Sequence, residues 1–243
     1  DDGMEIYDSS ISVWKKYVGS KNPTLSSSDF DNEKQFYFTF DYGKHVSFFV
    51  LDTRAYASPI YQQDSSDKTK LGAKQLQVLF KWLKDSTSTF KFLASPVAWA
   101  QRVGKLLPQK PDIWANYLFE RNKIFAYIAE NNITGVILLS GDLHWSHVFE
   151  INSYLYEFGT SPMQTFGLPK WIHNDVKEEK LLFVQEWKNT FGQIQILKDE
   201  QTKELVVHYT LFGYYYLYPS PVYELKLRES QLVPKPYNKH NFT

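Results

Sequence analysis

The 243-residue chain has no cysteine. Disulfides, thiolate metal ligands and a cysteine nucleophile are therefore excluded, and the redox compartment is left open. Long hydrophobic runs are also missing: nothing approaches the roughly 18 consecutive apolar residues of a membrane-spanning helix. Charge of neither sign is in excess, since Lys+Arg and Asp+Glu both number 27. A neutral chain presents no broad electrostatic footprint for nucleic acid or an acidic lipid surface, so neither is expected as a principal partner. There is no G-x-S-x-G elbow, no internal repeat and no low-complexity tract. An initiator Met is absent at Asp1-Asp2, a start expected of a processed or truncated polypeptide. What is abundant is aromatic residues, 17% of the chain, which favours a folded, strand-rich body over disorder. Two N-x-S/T triplets, at Asn132 and Asn241, would accept glycans in a secretory pathway, so a secreted or luminal location is expected.

The most informative stretch is Gly135-Val-Ile-Leu-Leu-Ser-Gly-Asp-Leu-His-Trp-Ser-His147. Val136 to Ser140 reads as a buried strand of a parallel sheet, a short apolar run bounded by turn signals. Asp142 and His144 then fall just beyond the strand's carboxyl end, on a turn that Gly141 is expected to permit, where open α/β sheets place their ligand sites. A carboxylate and an imidazole two residues apart suit a hard or borderline metal ion. The same spacing also suits a hydrogen-bonded Asp and a partly buried His. His147 shares parity with Trp145 and Phe149 and so begins the next strand; it is either a packed imidazole or a contact for substrate.

Before this stretch the chain alternates strand and helix. Ile11, Trp14, Tyr17 and Val18 lie at helical spacing and stop at Gly19. Phe36, Phe38 and Phe40 alternate with polar or smaller residues, and Tyr42-Gly43 turns the chain into a second arm, Val46 to Asp52. Leu76, Leu79, Phe80 and Leu83 form one face of a helix starting near Leu71. Phe90 to Ala94 is the next strand, and Trp114 to Ile128 the next helix, ended by Asn131-Asn132. Strand, helix, strand, helix, strand means a parallel sheet with crossover helices.

Beyond His147 come short alternating segments at 148–151, 154–158, 192–197, 205–212 and 223–227, read as antiparallel strands at the sheet edge or in a second sheet. The connection 159–188 is too long for a plain loop and is expected to wall the site. The division is thus a linker and helix over 1–30, a βαβ core over 31–147, antiparallel strands over 148–230 and a tail over 231–243.

Several blocks together carry a resemblance: Phe48-Phe-Val-Leu-Asp-Thr-Arg54, Leu71-Gly with Gln75 and Trp82-Leu83, Ser88 to Phe92, Trp114 with Glu120-Arg121, Asn132 to His144 and Leu155 to Pro162. In this order they resemble the PhoD-like alkaline phosphatases of the calcineurin-like metallophosphoesterase superfamily, over roughly residues 35 to 230. The resemblance implies an αββα sandwich of which this chain is the second half, with a metal cluster at the strand ends and a phosphate ester as substrate. Carried over by motif, Asp142 and His144 would be metal ligands or neighbouring catalytic groups. Arg54 would hold a phosphate oxygen, or else form a structural ion pair beneath the site, and Asp52 would orient its loop. Calcium and iron are the metals the resemblance favours, with zinc or manganese as the alternatives.

The superfamily's earlier metal motifs are missing from this chain; Asp1-Asp2-Gly-Met-Glu5 resembles a D-D-H-E block without its His. Two candidate ligands do not complete a metal cage. The expectation is therefore a carboxyl-terminal part of such a phosphatase, monoesterase or diesterase, completed by an amino-terminal fragment of the same protein. A catalytically inactive scaffold for binding or assembly is the alternative, with Tyr214 to Tyr218 as an aromatic surface for it. A serine hydrolase using Ser140 or Ser95 with His144 is a third, for which no acid is visibly placed to orient the imidazole.

Overall fold

Short strands that are apolar at consecutive positions must be buried on two faces at once, and the architecture answers that demand. A computed structural model describes residues 2–23, 36–103, 112–165, 167–170, 176, 178–215 and 218–235. The hairpin forms as expected: β1 (Phe38–Tyr42) pairs antiparallel with β2 (Val46–Val50), Phe40 opposite Phe48, around Gly43 in the left-handed region at φ 65°. Strand β3 (Phe90–Ala94) joins β2 in parallel and β4 (Val136–Ser140) joins β3 in parallel. Helices α2 (Gly72–Asp85) and α3 (Leu118–Glu130) make the crossovers, and α1 (Asp2–Tyr17) precedes them all.

After β4 the chain makes a hairpin of β5 (Ser146–Asn152) and β6 (Leu155–Gly159). Strand β6 lies parallel to β4 and antiparallel to β5, so the second arm of the hairpin is inserted next to β4. Strand β7 (Lys180–Gln185) adds to the far side of β5, giving a seven-stranded sheet of order β1-β2-β3-β4-β6-β5-β7. It arises within the long connection expected to be a loop; only its pairing with β5, Phe183 opposite Val148, makes a strand of it. A second sheet of order β10-β9-β8 is antiparallel, from β8 (Thr190–Lys198), β9 (Leu205–Tyr215) and β10 (Tyr218–Arg228). The fold is thus mixed α/β, a sheet with parallel central strands and antiparallel flanks, backed by a separate antiparallel one.

The period of two feeds two cores. From β3, Leu93 faces the helices while Phe90 and Phe92 face the second sheet; from β4, Val136 and Leu138 go one way and Ile137 the other. The helix-side core takes Leu76, Leu79 and Leu83 of α2 and Ile124, Phe125 and Ile128 of α3. The inter-sheet core joins Val148 and Phe158 to Val207, Tyr209 and Leu211 of β9, with Phe158 stacked on Tyr209 at 4.2 Å. Three layers, helices, sheet and sheet, are thereby present among the described residues.

The helix expected from Trp114 instead begins at Leu118, behind a 3-10 turn over Trp114–Asn116. Tyr117, at φ −138°, separates the two. Trp114 is held elsewhere, stacked on Trp99 at 4.4 Å and donating from Nε1 to Ser95 Oγ at 3.1 Å. At its other end α3 closes as expected: Asn132 takes the left-handed region at φ 51°, and the Ile133 and Asn132 amides return to the Ile128 and Ala129 carbonyls, a Schellman closure. Asn132 is exposed there; Asn241 lies outside the described residues.

Entry into β4 depends on Gly135. Its φ is +73°, a side-chain carbon there would sit 1.9 Å from the Thr89 carbonyl oxygen, and its amide donates to Leu232 O at 2.9 Å. Gly135→Ala is therefore expected to destabilise the fold by more than about 2 kcal/mol, from left-handed strain plus displacement of the β3 entry. Urea unfolding checks this; a change under about 0.5 kcal/mol would contradict it.

Candidate active site

Strands β2, β3, β4 and β6 are parallel, so their carboxyl ends share one edge, where the segments leaving them converge. Those continuations carry Arg54, Pro96, the Asp142/His144 turn and Ser161. Among them the 141–146 turn has the least ordinary backbone. Asp142 and His144 adopt φ of 72° and 60°, in the left-handed region that L-residues enter at a cost and that the surroundings must enforce. Gly141 is not among the positive-φ residues, so the turn expected to rest on glycine rests on the two candidate ligands themselves. Leu143 N bonds Gly141 O at 3.0 Å, His144 N bonds Ser161 Oγ at 3.1 Å, and His144 O accepts from Leu168 N at 2.7 Å. Leu143 packs on the helix-side core. Held from both sides, the turn leaves Asp142 exposed and His144 half-buried.

His147 lies elsewhere. It is 1% exposed, its ring laid against Gly159, where any side chain would clash, and flanked by Trp145 and Phe149. Its Nε2 is 3.2 Å from Glu157 Oε1 and 3.5 Å from Ser140 Oγ. Of the two readings open for His147, its burial is that of the packed imidazole, because β5 turns this position inward. Glu157, on β6, is a group that the sequence motifs do not single out. Its carboxylate is wholly buried and accepts from Trp99 N and Ala100 N, both at 2.8 Å, and from Ser140 Oγ at 2.5 Å. Burial pushes its pKa up, but the facing His147 and the hydrogen bonds from His147, Ser140 and Trp99 outweigh that and hold it below the ordinary value. One charged residue inside the apolar run Leu155-Tyr-Glu-Phe-Gly159 was the available signal.

The other side of the edge is cationic. Asp52 Oδ1 accepts from the Arg54 and Ala55 amides at 2.9 and 3.1 Å, and Gln75 of α2 clamps both its N–H and its carbonyl. Asp52 therefore orients the loop, as expected, through the Arg54 backbone. The Arg54 guanidinium is 69% exposed and pairs through Nε with Asp112 Oδ2 at 3.3 Å. Asp112 Oδ1 also receives Lys70 Nζ at 2.6 Å, and Lys70 is completely buried, its ammonium 4.4 Å from the Tyr117 ring centre. Two cations thus share one carboxylate, and only Arg54 reaches solvent freely. Alongside, a cleft of about 780 Å³ runs between Asp52 to Arg54 and the α1 residues Ile11 and Trp14. Asp52 Oδ2 and Thr53 Oγ1 are buried there without a hydrogen-bond partner among the described residues.

As a metal site this donor set is partial. Asp142 offers oxygen and His144 nitrogen, but among the described residues no group of three or more His, Cys, Asp or Glu is placed to hold an ion. Among the described residues these donors do not make up a metal cage. As a serine site it is ill-disposed: Ser140 gives its proton to Glu157, and Ser95 gives its own to Val97 O at 2.7 Å.

Sheet order and the placement of these polar groups on the carboxyl edge define a mixed α/β protein, and the chain belongs to the PhoD-like phosphatase family, matched over residues 14–203. Among its relatives is the alkaline phosphatase D of Bacillus subtilis (strain 168), 30% identical in a 156-residue alignment that covers 59% of this chain and 26% of that protein. A solved structure titled "Structure of PhoD" shares the fold with a TM-score of 0.65 at 20% identity, over 88% of this chain and 46% of that one. The chain therefore spans about a quarter of the curated relative's length and under half of the solved chain.

Lys70 yields a sign that can be tested. Burial lowers its pKa below the ordinary 10.5, against the opposing pull of Asp112. Between the lowered value and 10.5 the unfolded chain holds the proton more tightly, so stability should rise with pH through that window. Subtracting the urea-unfolding profile of Lys70→Met from that of the wild type should leave this positive slope. A flat difference would show no shift and a negative one an ammonium better stabilised folded than unfolded, and either would contradict the lowered pKa.

Proposed function

We propose that this chain supplies one wall of the active centre of a metal-dependent phosphoric ester hydrolase. The observation that carries the reading is the pair Asp142 and His144, displayed on an enforced left-handed turn at the carboxyl edge of a parallel sheet, in a chain of the PhoD-like phosphatase family. Asp142 would offer an oxygen and His144 a nitrogen to the metal, and further ligands would come from an amino-terminal part of the same protein. Calcium and iron are the ions favoured by family, with zinc or manganese accepted by the same donors. When bound, such ions would supply Lewis acidity and neutralise phosphoryl charge.

Arg54 would receive the substrate. Its guanidinium already pairs with one carboxylate at the protein surface, and exchanging Asp112 for a phosphate oxygen keeps that charge compensated. Asp52 and Gln75 hold the Arg54 backbone while the side chain moves. The substrate would be a monoester or diester of phosphate. A secreted location accords with the exposed sequon at Asn132, and among the described residues no helix is long and apolar enough to cross a membrane.

The test uses the full-length polypeptide that contains this chain, purified natively. Elemental analysis should find bound metal, and p-nitrophenyl phosphate or bis(p-nitrophenyl) phosphate should turn over. Asp142→Asn and His144→Ala should each lower kcat about 100-fold or more with the melting temperature kept, while Arg54→Ala should raise KM about tenfold. A metal-free protein that turns over neither ester would overturn the reading in favour of a scaffold used for binding.

A further inference from the structure

We infer that Glu157 is a positioning residue whose single carboxylate fixes the turn bearing Asp142 and His144; this rests on the proposed role of that turn. The turn is the segment between Ser140, which ends β4, and His147, near the start of β5. Both flanks bond the same oxygen: Ser140 Oγ reaches Glu157 Oε1 at 2.5 Å and His147 Nε2 reaches it at 3.2 Å. The Trp99 and Ala100 amides, in the segment beyond β3, also end on this carboxylate. One side chain on β6 thus sets the mutual position of the β4 exit, the β5 entry and the β3 continuation.

The turn needs such a reference. Two non-glycine residues sit in the left-handed region, and a backbone so strained persists only where its surroundings over-determine it. From outside the turn is held by Ser161, which receives the His144 amide while its own N–H and C=O both engage Ser146 Oγ. From beneath it is held by Glu157. A carboxylate is an expensive way to fill an apolar strand, because a buried charge is tolerated only when its hydrogen bonds are met. Here the partners that meet them are the elements that set the site. His147 so acquires a role consistent with its burial, orienting the candidate ligands through Glu157 and the β5 entry without reaching substrate.

Glu179 provides a matched control. It is 2% exposed, accepts from the next two amides of the same segment, Gln101 and Arg102, and pairs with Arg121, yet bonds neither flank of the turn. Glu157→Gln and Glu179→Gln are compared in the full-length protein by amide hydrogen exchange and by Mn²⁺ titration. Both should lower the melting temperature. Only Glu157→Gln should speed exchange at the Leu143 and His144 amides, by about tenfold or more relative to β3, and weaken Mn²⁺ binding by about 10- to 100-fold.

Unchanged exchange at these two amides in Glu157→Gln, or equal loosening in Glu179→Gln, would overturn the inference. Should the wild type bind no Mn²⁺, the metal reading of the turn fails while the exchange comparison still decides the positioning role. Where Glu157→Gln does not fold, Ser140→Ala cuts one flank alone and is expected to speed exchange at Leu143 and His144 by several-fold; no change there would overturn the inference equally.

Discussion

Burial of the parallel strands on both faces is the constraint on which the rest depends. β3 and β4 send alternate side chains into a helix-side core and an inter-sheet core, so no functional group fits within them without being buried. Chemistry is thereby confined to the strand ends, where parallel strands bring their continuations to one edge. Inserting β6 beside β4 brings a further carboxyl end to that edge. The candidate site is a consequence of the sheet order before it is a consequence of any one side chain.

Close to that edge the protein buries several charged side chains, each with a partner. Glu120 accepts from the Lys70 and Leu71 amides and from Thr69 Oγ1, which fixes the start of α2. Arg121 joins Glu179 at 2.9 Å and the Trp99 carbonyl at 3.0 Å. Lys70 joins Asp112, and Glu157 joins four donors. Paired burial of this kind adds little net stability over an apolar filling, but losing one partner is costly, so each network holds its elements in one arrangement. Arg54, Asp142 and His144, the groups left at or near the surface, stand on this rigid frame.

Much of this was legible in the chain itself. The β1–β2 hairpin, β3, α2 and β4 fall where period and turn residues put them, because each is decided by neighbours a few residues away. The resemblance to the PhoD-like family was carried by ordered blocks that the family match then confirmed. Less legible was β7, whose Leu181, Leu182 and Phe183 show no alternation and become a strand only by meeting β5. The start of α3 was misplaced because Trp114 has helical spacing yet is recruited by Trp99 and Ser95. At the turn, glycine was given a freedom that the backbone of Asp142 and His144 uses.

Sequence alone determined the class of fold, the apolar strand that points at the site, and the pair Asp142 and His144 beyond its end. All three rest on local periodicity and on the rule that a strand must stop at a turn. Tertiary structure alone decided that Glu157 meets Ser140 and His147 across the hairpin, and that Lys70 meets Asp112 from a distant part of the chain. Contacts between distant segments are fixed by strand order and register, and those are set by which packing buries the most apolar surface with every polar partner met, a property that no local stretch contains.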